Sequence, residues 1–185
     1  MAREELVFLP LGGSGEIGMN MNLYGFGPPH ARKWIMIDCG VLFGDLSTPG
    51  IDIITPDPAF ILEHKKNLKA LILTHGHEDH IGAVAPRAEI RLPGLRNAVP
   101  AALVRRKLAE AETTLDLRVV DMSARFEIGP FDIEFVTLTH SFRNRAASSF
   151  ERKLGNVLHT GDWKIDPSRR SGRSRIRKRF HSVWR

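Results

Sequence analysis

Short, mainly apolar blocks bounded by polar and turn residues fill the first third of the chain, at Leu6–Leu11, Asn22–Phe26 and Trp34–Asp38. Blocks of this length and composition between turn signals predict β-strands. Between them lie the turn residues Gly12-Gly13-Ser14-Gly15 and Gly27-Pro28-Pro29, so the three strands are expected to form a meander. After Pro56 and Pro58 the spacing predicts a short helix over Ala59–His64. Leu68–Thr74 is an apolar run bounded by polar residues, as in a strand buried on both faces. Ala101–Thr113 combines helix formers with an apolar face of Leu103, Val104 and Leu108, while Leu117–Val120 and Phe131–Leu138 read as strands. In the last of these, Phe131, Ile133 and Phe135 alternate with Asp132 and Glu134. There is no internal repeat and no regular strand–helix beat, so a layered α/β fold is expected rather than a doubly wound sheet. Trp34, Phe126, Phe131 and Phe135 are assigned to the core.

A length of 185 residues suits one domain, and 42% hydrophobic residues with 26% charged is the balance of a globular chain. The net charge of +6 changes meaning once it is located: eight of the 27 basic residues follow Asp166, the last acidic residue. The remaining 27 − 8 = 19 basic residues face 21 acidic ones, leaving residues 1–166 at −2. We therefore divide the chain into 1–167, a folded domain, and 168–185, a basic tail. No run of eighteen apolar residues and no signal peptide is evident, and the single cysteine, Cys39, excludes an internal disulfide framework. A cytoplasmic protein without a membrane segment is expected.

The chemistry concentrates in Thr74-His75-Gly76-His77-Glu78-Asp79-His80, directly after an apolar strand. Imidazole and carboxylate ligands suit zinc or manganese, and a strand end projects them from a rigid scaffold into a loop. In an extended segment His75 and His77 point the same way and share one ion. Asp79 and His80 then turn toward a second site, with Gly76 giving the backbone room to bend. Two later segments repeat the pattern of a polar residue ending an apolar run, offering His140 and Asp162, whereas His159 is expected to be a buried strand histidine. Together these residues describe a dinuclear hydrolytic site.

The residues His75, His77, Asp79 and His80 match the signature H-x-H-x-D-H, so the chain resembles the metallo-β-lactamase superfamily. Pro10–Asn20, Ile37–Gly40, Thr74–Ala83, Leu138–Ser141 and His159–Asp166 narrow this to a resemblance to the N-terminal part of the ribonuclease J family, its β-CASP branch, over residues 6–167. The resemblance implies an αββα sandwich, incomplete here, and hydrolysis of RNA phosphodiesters by a hydroxide activated between two metals. It implies two zinc ions (Zn2+), with Mn2+ as the alternative. His75, His77 and His140 would hold one ion, Asp79 and His80 the other, and Asp162 would bridge. Asp79 and Asp162 are thereby the catalytic carboxylates, and Asp38 and Glu78 stand behind the ligands. RNA is the implied partner, and the family forms homo-oligomers. A β-CASP domain and a late histidine ligand would lie beyond residue 185. Two other readings remain open: a thioesterase or lactonase of the same fold, and a non-catalytic truncated product that binds RNA.

Three intervals depart from the family pattern: 85–100 lacks periodicity, 142–152 lacks strand alternation, and 168–185 is arginine-rich. Codon sets exist for segments of all three that read one base later as family-like sequence, so compensated frameshifts are expected there.

Overall fold

The computed structural model describes residues 3–90, 94–96, 98–121, 124–138, 145–151 and 154–162. It divides into two compact units, Met1–Val119 and Val120–Arg185.

The first unit opens with β1 (Glu5–Gly12), β2 (Met21–Gly27) and β3 (Lys33–Ile37), paired antiparallel as the predicted meander. A small hairpin of β4 (Leu42–Phe43) and β5 (Ile53–Ile54) follows, then α1 (Ala59–His64), β6 (Leu68–Ile72), α2 (Glu78–Ile81), β7 (Gly94–Arg96), α3 (Ala98–Glu110) and β8 (Leu117–Val119). The main sheet runs β1-β2-β3-β6-β7-β8, and from β3 onward neighbouring strands are parallel. Ile37 and Ile72 lie in register at the carboxyl ends of β3 and β6, so the residues after them emerge side by side. Ligands of open α/β sheets bind outside this end of the strands.

Every residue of β2 is buried, because β1 and β3 cover its edges and the core covers its faces. Gly25 is required within it: a Cβ there would sit 2.6 Å from Cζ3 of Trp34. The core joins Met21, Leu23, Trp34 and Met36 of the strands to Ile61 of α1, Ile81 of α2 and Val104 and Leu108 of α3. The helix α2, which carries Asp79 and His80, is thus anchored from behind by apolar burial.

Tyr24, the chain's single tyrosine, is 6% exposed and tilts against Phe8 with ring centroids 5.0 Å apart. Burial pushes its pKa up to about 12. The folded state then keeps a proton that the unfolded chain loses near its ordinary value of about 10, so unfolding releases a proton above that pH and stability falls. We expect ultraviolet absorbance of the native chain to show tyrosinate only near pH 12, with the transition moving to about 10 in denaturant. A native transition at about 10 would contradict this burial.

The second unit forms a four-stranded antiparallel sheet, β12-β11-β10-β9, from β9 (Arg125–Ile128), β10 (Phe131–Leu138), β11 (Arg145–Glu151) and β12 (Val157–His159). The alternation in β10 works as expected: Phe131, Ile133 and Phe135 are buried, and Phe126 of β9 meets Phe135 edge-on at 5.3 Å.

Two strands occur where the pattern predicted none. β7 lies inside 85–100 and β11 inside 142–152, each held between two neighbours in its sheet. Ladder hydrogen bonds from both sides outweigh weak side-chain patterning. The segment 168–185 lies outside the described residues. No helix among the described residues is long and apolar enough to cross a membrane.

Candidate metal centre

Asp38 leaves β3 with φ 63°, a left-handed conformation that aspartate tolerates better than most residues. This turn aims its carboxylate at the residues leaving β6. Oδ1 accepts the backbone N–H of Thr74 at 2.8 Å, and Oδ2 accepts the Thr74 hydroxyl at 2.8 Å and Nδ1 of His80 at 2.7 Å. Since the Thr74 hydroxyl donates to Asp38, its oxygen is free to accept Nδ1–H of His75, 3.0 Å away. Asp38 thereby fixes two imidazoles, His80 directly and His75 through Thr74, and leaves Nε2 of each as the nitrogen that a cation could take. Asp38, Thr74, His75 and His80 are all buried.

His77, in extended conformation with ψ 154°, caps the start of α2, and Asp79 and His80 lie within the helix. Sequence reasoning placed these two in a loop. They form a helical turn because His80 and Ile81 donate to the His77 carbonyl and Gly82 donates to that of Glu78. Glu78 and Asp79 also put acidic side chains in the first turn, where the helix dipole favours them. Gly76 serves close packing: a Cβ there would meet Cδ1 of Leu103 at 2.7 Å.

The histidines are crowded. His75 Nε2 is 3.1 Å from His77 Nδ1, and the ring centroids of His75 and His80 are 3.9 Å apart. Ligand atoms of His75, His77 and Asp79 all lie within 4.8 Å of one another. Two nitrogens on one tetrahedral zinc, each about 2.0–2.1 Å from it, would be roughly 3.3 Å apart, so this donor set fits a divalent cation.

Burial by itself would lower the His80 pKa, but the charge of Asp38 and its hydrogen bond, reinforced by Asp79, outweigh this and push it up to about 10. The hydrogen bond with His80 in turn holds the Asp79 carboxyl below its usual range, against an opposing effect of burial. Any cation that takes His80 Nε2 displaces a proton.

The first unit thus brings together Asp38, His75, His77, Asp79 and His80. Glu78 instead engages Nζ of Lys107 on α3 at 2.8 Å, and Oε1 of Glu16 accepts the N–H of Gly13 at 3.2 Å. In the second unit His159 is half-buried in β12, and Asp162 is half-buried just beyond it. His140 lies outside the described residues. Asn20, which the sequence offered only as the end of a glycine-rich motif, donates through Nδ2 to the Asp79 carbonyl at 3.1 Å. No local signal marks this contact, because the two residues are far apart in the chain.

Residues 23–165 match the model of the metallo-beta-lactamase superfamily. The chain is 43% identical to ribonuclease J of Sinorhizobium meliloti, covering 97% of this chain and 32% of that protein. It is 36% identical to ribonuclease J of Corynebacterium glutamicum (88% and 22% covered) and 31% identical to that of Thermus thermophilus (90% and 30%). The chain therefore spans about a third or less of these relatives. The Sinorhizobium match reaches beyond the expected interval 6–167. Among solved structures, the metallo-beta-lactamase fold protein YhfI from Bacillus subtilis aligns with TM-score 0.58 at 17% identity, over 87% of this chain and 64% of that one. A diphosphatase of the PhnP family aligns with TM-score 0.51 at 15% identity, over 79% and 62%. The fold expected from the sequence is thus the fold found.

Proposed function

We propose that this chain, which belongs to the metallo-beta-lactamase superfamily, is the metal-binding portion of a ribonuclease J-type enzyme that hydrolyses RNA phosphodiesters. The observation that carries the reading is the donor set of His75, His77 and Asp79 at the carboxyl end of β6, with Asp38 fixing the flanking imidazoles. The similarity to ribonuclease J proteins of three genera supports RNA as the substrate. The thioesterase or lactonase reading and the non-catalytic reading have no comparable support.

In this reading His75, His77 and His140 would hold one zinc ion and Asp79 and His80 a second, with Asp162 as the shared ligand. The chemistry supplied there would be acidification of a water and neutralisation of charge on the phosphoryl oxygens. The chain's own residues supply the preparation. Asp38 keeps the Nδ1 proton on His80, and Thr74 keeps that on His75, so both rings present Nε2 without reorganisation. Asp79, held ionised, offers an anionic ligand at neutral pH. A homo-oligomeric, cytoplasmic enzyme completes the proposal.

The test is metal content and turnover together. Purified chain refolded with zinc is expected to retain about two ions, and His77→Ala to lose one of them. On 5′-phosphorylated RNA beside a thioester, only the RNA should be cut, and His77→Ala and Asp79→Ala should abolish cutting. Thioester hydrolysis without RNA cleavage, or a folded chain that retains no zinc, would overturn the assignment.

A further inference from the structure

Between β1 and β2 the chain makes a glycine-rich excursion that ends on Asn20, and this residue contacts the ligand helix through both backbone and side chain. Its backbone N–H donates to the Asp79 carbonyl at 2.9 Å, and its own carbonyl accepts Gly40 N–H at 2.9 Å. Its side-chain Nδ2 lies 3.1 Å from the same Asp79 carbonyl, 3.5 Å from Asp79 Oδ2 and 3.2 Å from His80 Nε2. The Asp79 carbonyl only accepts, so the NH2 end of the carboxamide is the end that faces α2. The opposite end is fixed too: a Cβ at Gly13 would fall 2.3 Å from Asn20 Oδ1, so the glycine leaves the space that the carboxamide occupies.

We infer that Asn20 is a positioning residue for Asp79, holding its carbonyl and lying beside its carboxylate. Asp38 grips the neighbouring His80 at Nδ1 from β3, while Asn20 Nδ2, reaching in from the β1–β2 connection, lies beside Nε2, the nitrogen a cation would take, and donates to Asp79 rather than to the imidazole. The two supports reach the pair from different strands, and the glycine-rich loop is thereby coupled to the metal ligands through one side chain.

This inference rests on the metal-binding reading above, and the experiment separates the two. Asn20→Leu keeps the size and shape of the side chain and removes its donors. Zinc affinity of the purified chain is measured by competition with a chromophoric chelator, beside denaturant melts of chelator-treated protein. For Asn20→Leu one ion should bind about 10-fold more weakly, the size of effect typical for an outer partner of a ligand, while the other ion is unaffected. The metal-free melt should be unchanged, which a role in packing alone would not predict for the affinity loss. If the variant binds both ions as the wild type does, the inference is overturned and the metal reading stands. If the wild type binds none, both fall. Should Asn20→Leu lack a cooperative melt, Asn20→Ala is judged by the same criterion.

Discussion

Asp38→Ala is expected to destabilise the first unit by about 3–5 kcal/mol, the usual cost of removing one partner from a buried ion pair. Both partners here are 1% exposed, so water does not replace the lost carboxylate. The same substitution strips the acceptor from Thr74 N–H and frees the Thr74 hydroxyl, which adds about 1–3 kcal/mol for a donor left buried without a partner. Against a typical total stability of about 5–15 kcal/mol, such losses bring the folded state close to the threshold. Asp38→Asn separates the contributions. Asparagine tolerates the left-handed backbone and can still accept Thr74 N–H, so it should cost clearly less than alanine. Denaturant unfolding of both variants at neutral pH measures this, and a shift below about 1 kcal/mol for Asp38→Ala would refute the account of the pair as the support of the site.

Gly40→Ala should be harsher still. An added Cβ would fall 1.7 Å from the carbonyl oxygen of Asp79, 2.1 Å from its carbonyl carbon and 2.7 Å from His80 N. All three atoms are backbone, so no rotamer relieves the overlap and α2 must move away. That motion breaks Cys39 N–H to His80 O, Val41 N–H to Glu78 O and Ala83 N–H to Cys39 O, the bonds that dock the ligand helix. The expected cost is above about 4 kcal/mol, with loss of a cooperative melt. Gly15→Ala is the control. Unlike Gly40, Gly15 has a positive φ, at 85°, but an added Cβ there meets nothing, so only the conformational penalty of about 1–2 kcal/mol applies. Similar melts for the two variants would show that the close approach at Gly40 is not what the glycine is for.

The sequence was most legible where one side-chain period controlled a whole element. The meander, α1, β6 and β10 follow from alternation and apolar runs, because each buries one face or both faces along its length. It failed at β7 and β11, whose strand character comes from neighbours on either side rather than from their own residues. The site divides in the same way. His75, His77, Asp79 and His80 fall within six residues and announce themselves as a cluster of ligand types. The hold of Asp38 on His75 through Thr74, and the contacts of Asn20 and Lys107, depend on residues brought from distant strands and helices. Glu78 illustrates the difference: beside the ligands in sequence, its carboxylate is engaged by Lys107.

The docking of α2 on the segments around Asn20 and Gly40 has a consequence for folding. The donors lie within six residues in sequence, but their docked arrangement exists only after chain segments some sixty residues apart have closed on each other, a slow and entropically costly step. A divalent cation held there would bind the native arrangement more tightly than the same donors in the unfolded chain. Free metal at a thousand times its dissociation constant would add at most about 4.1 kcal/mol to stability, less what the unfolded chain's own donors take up. Metal supply would then help to set how much of the protein is folded.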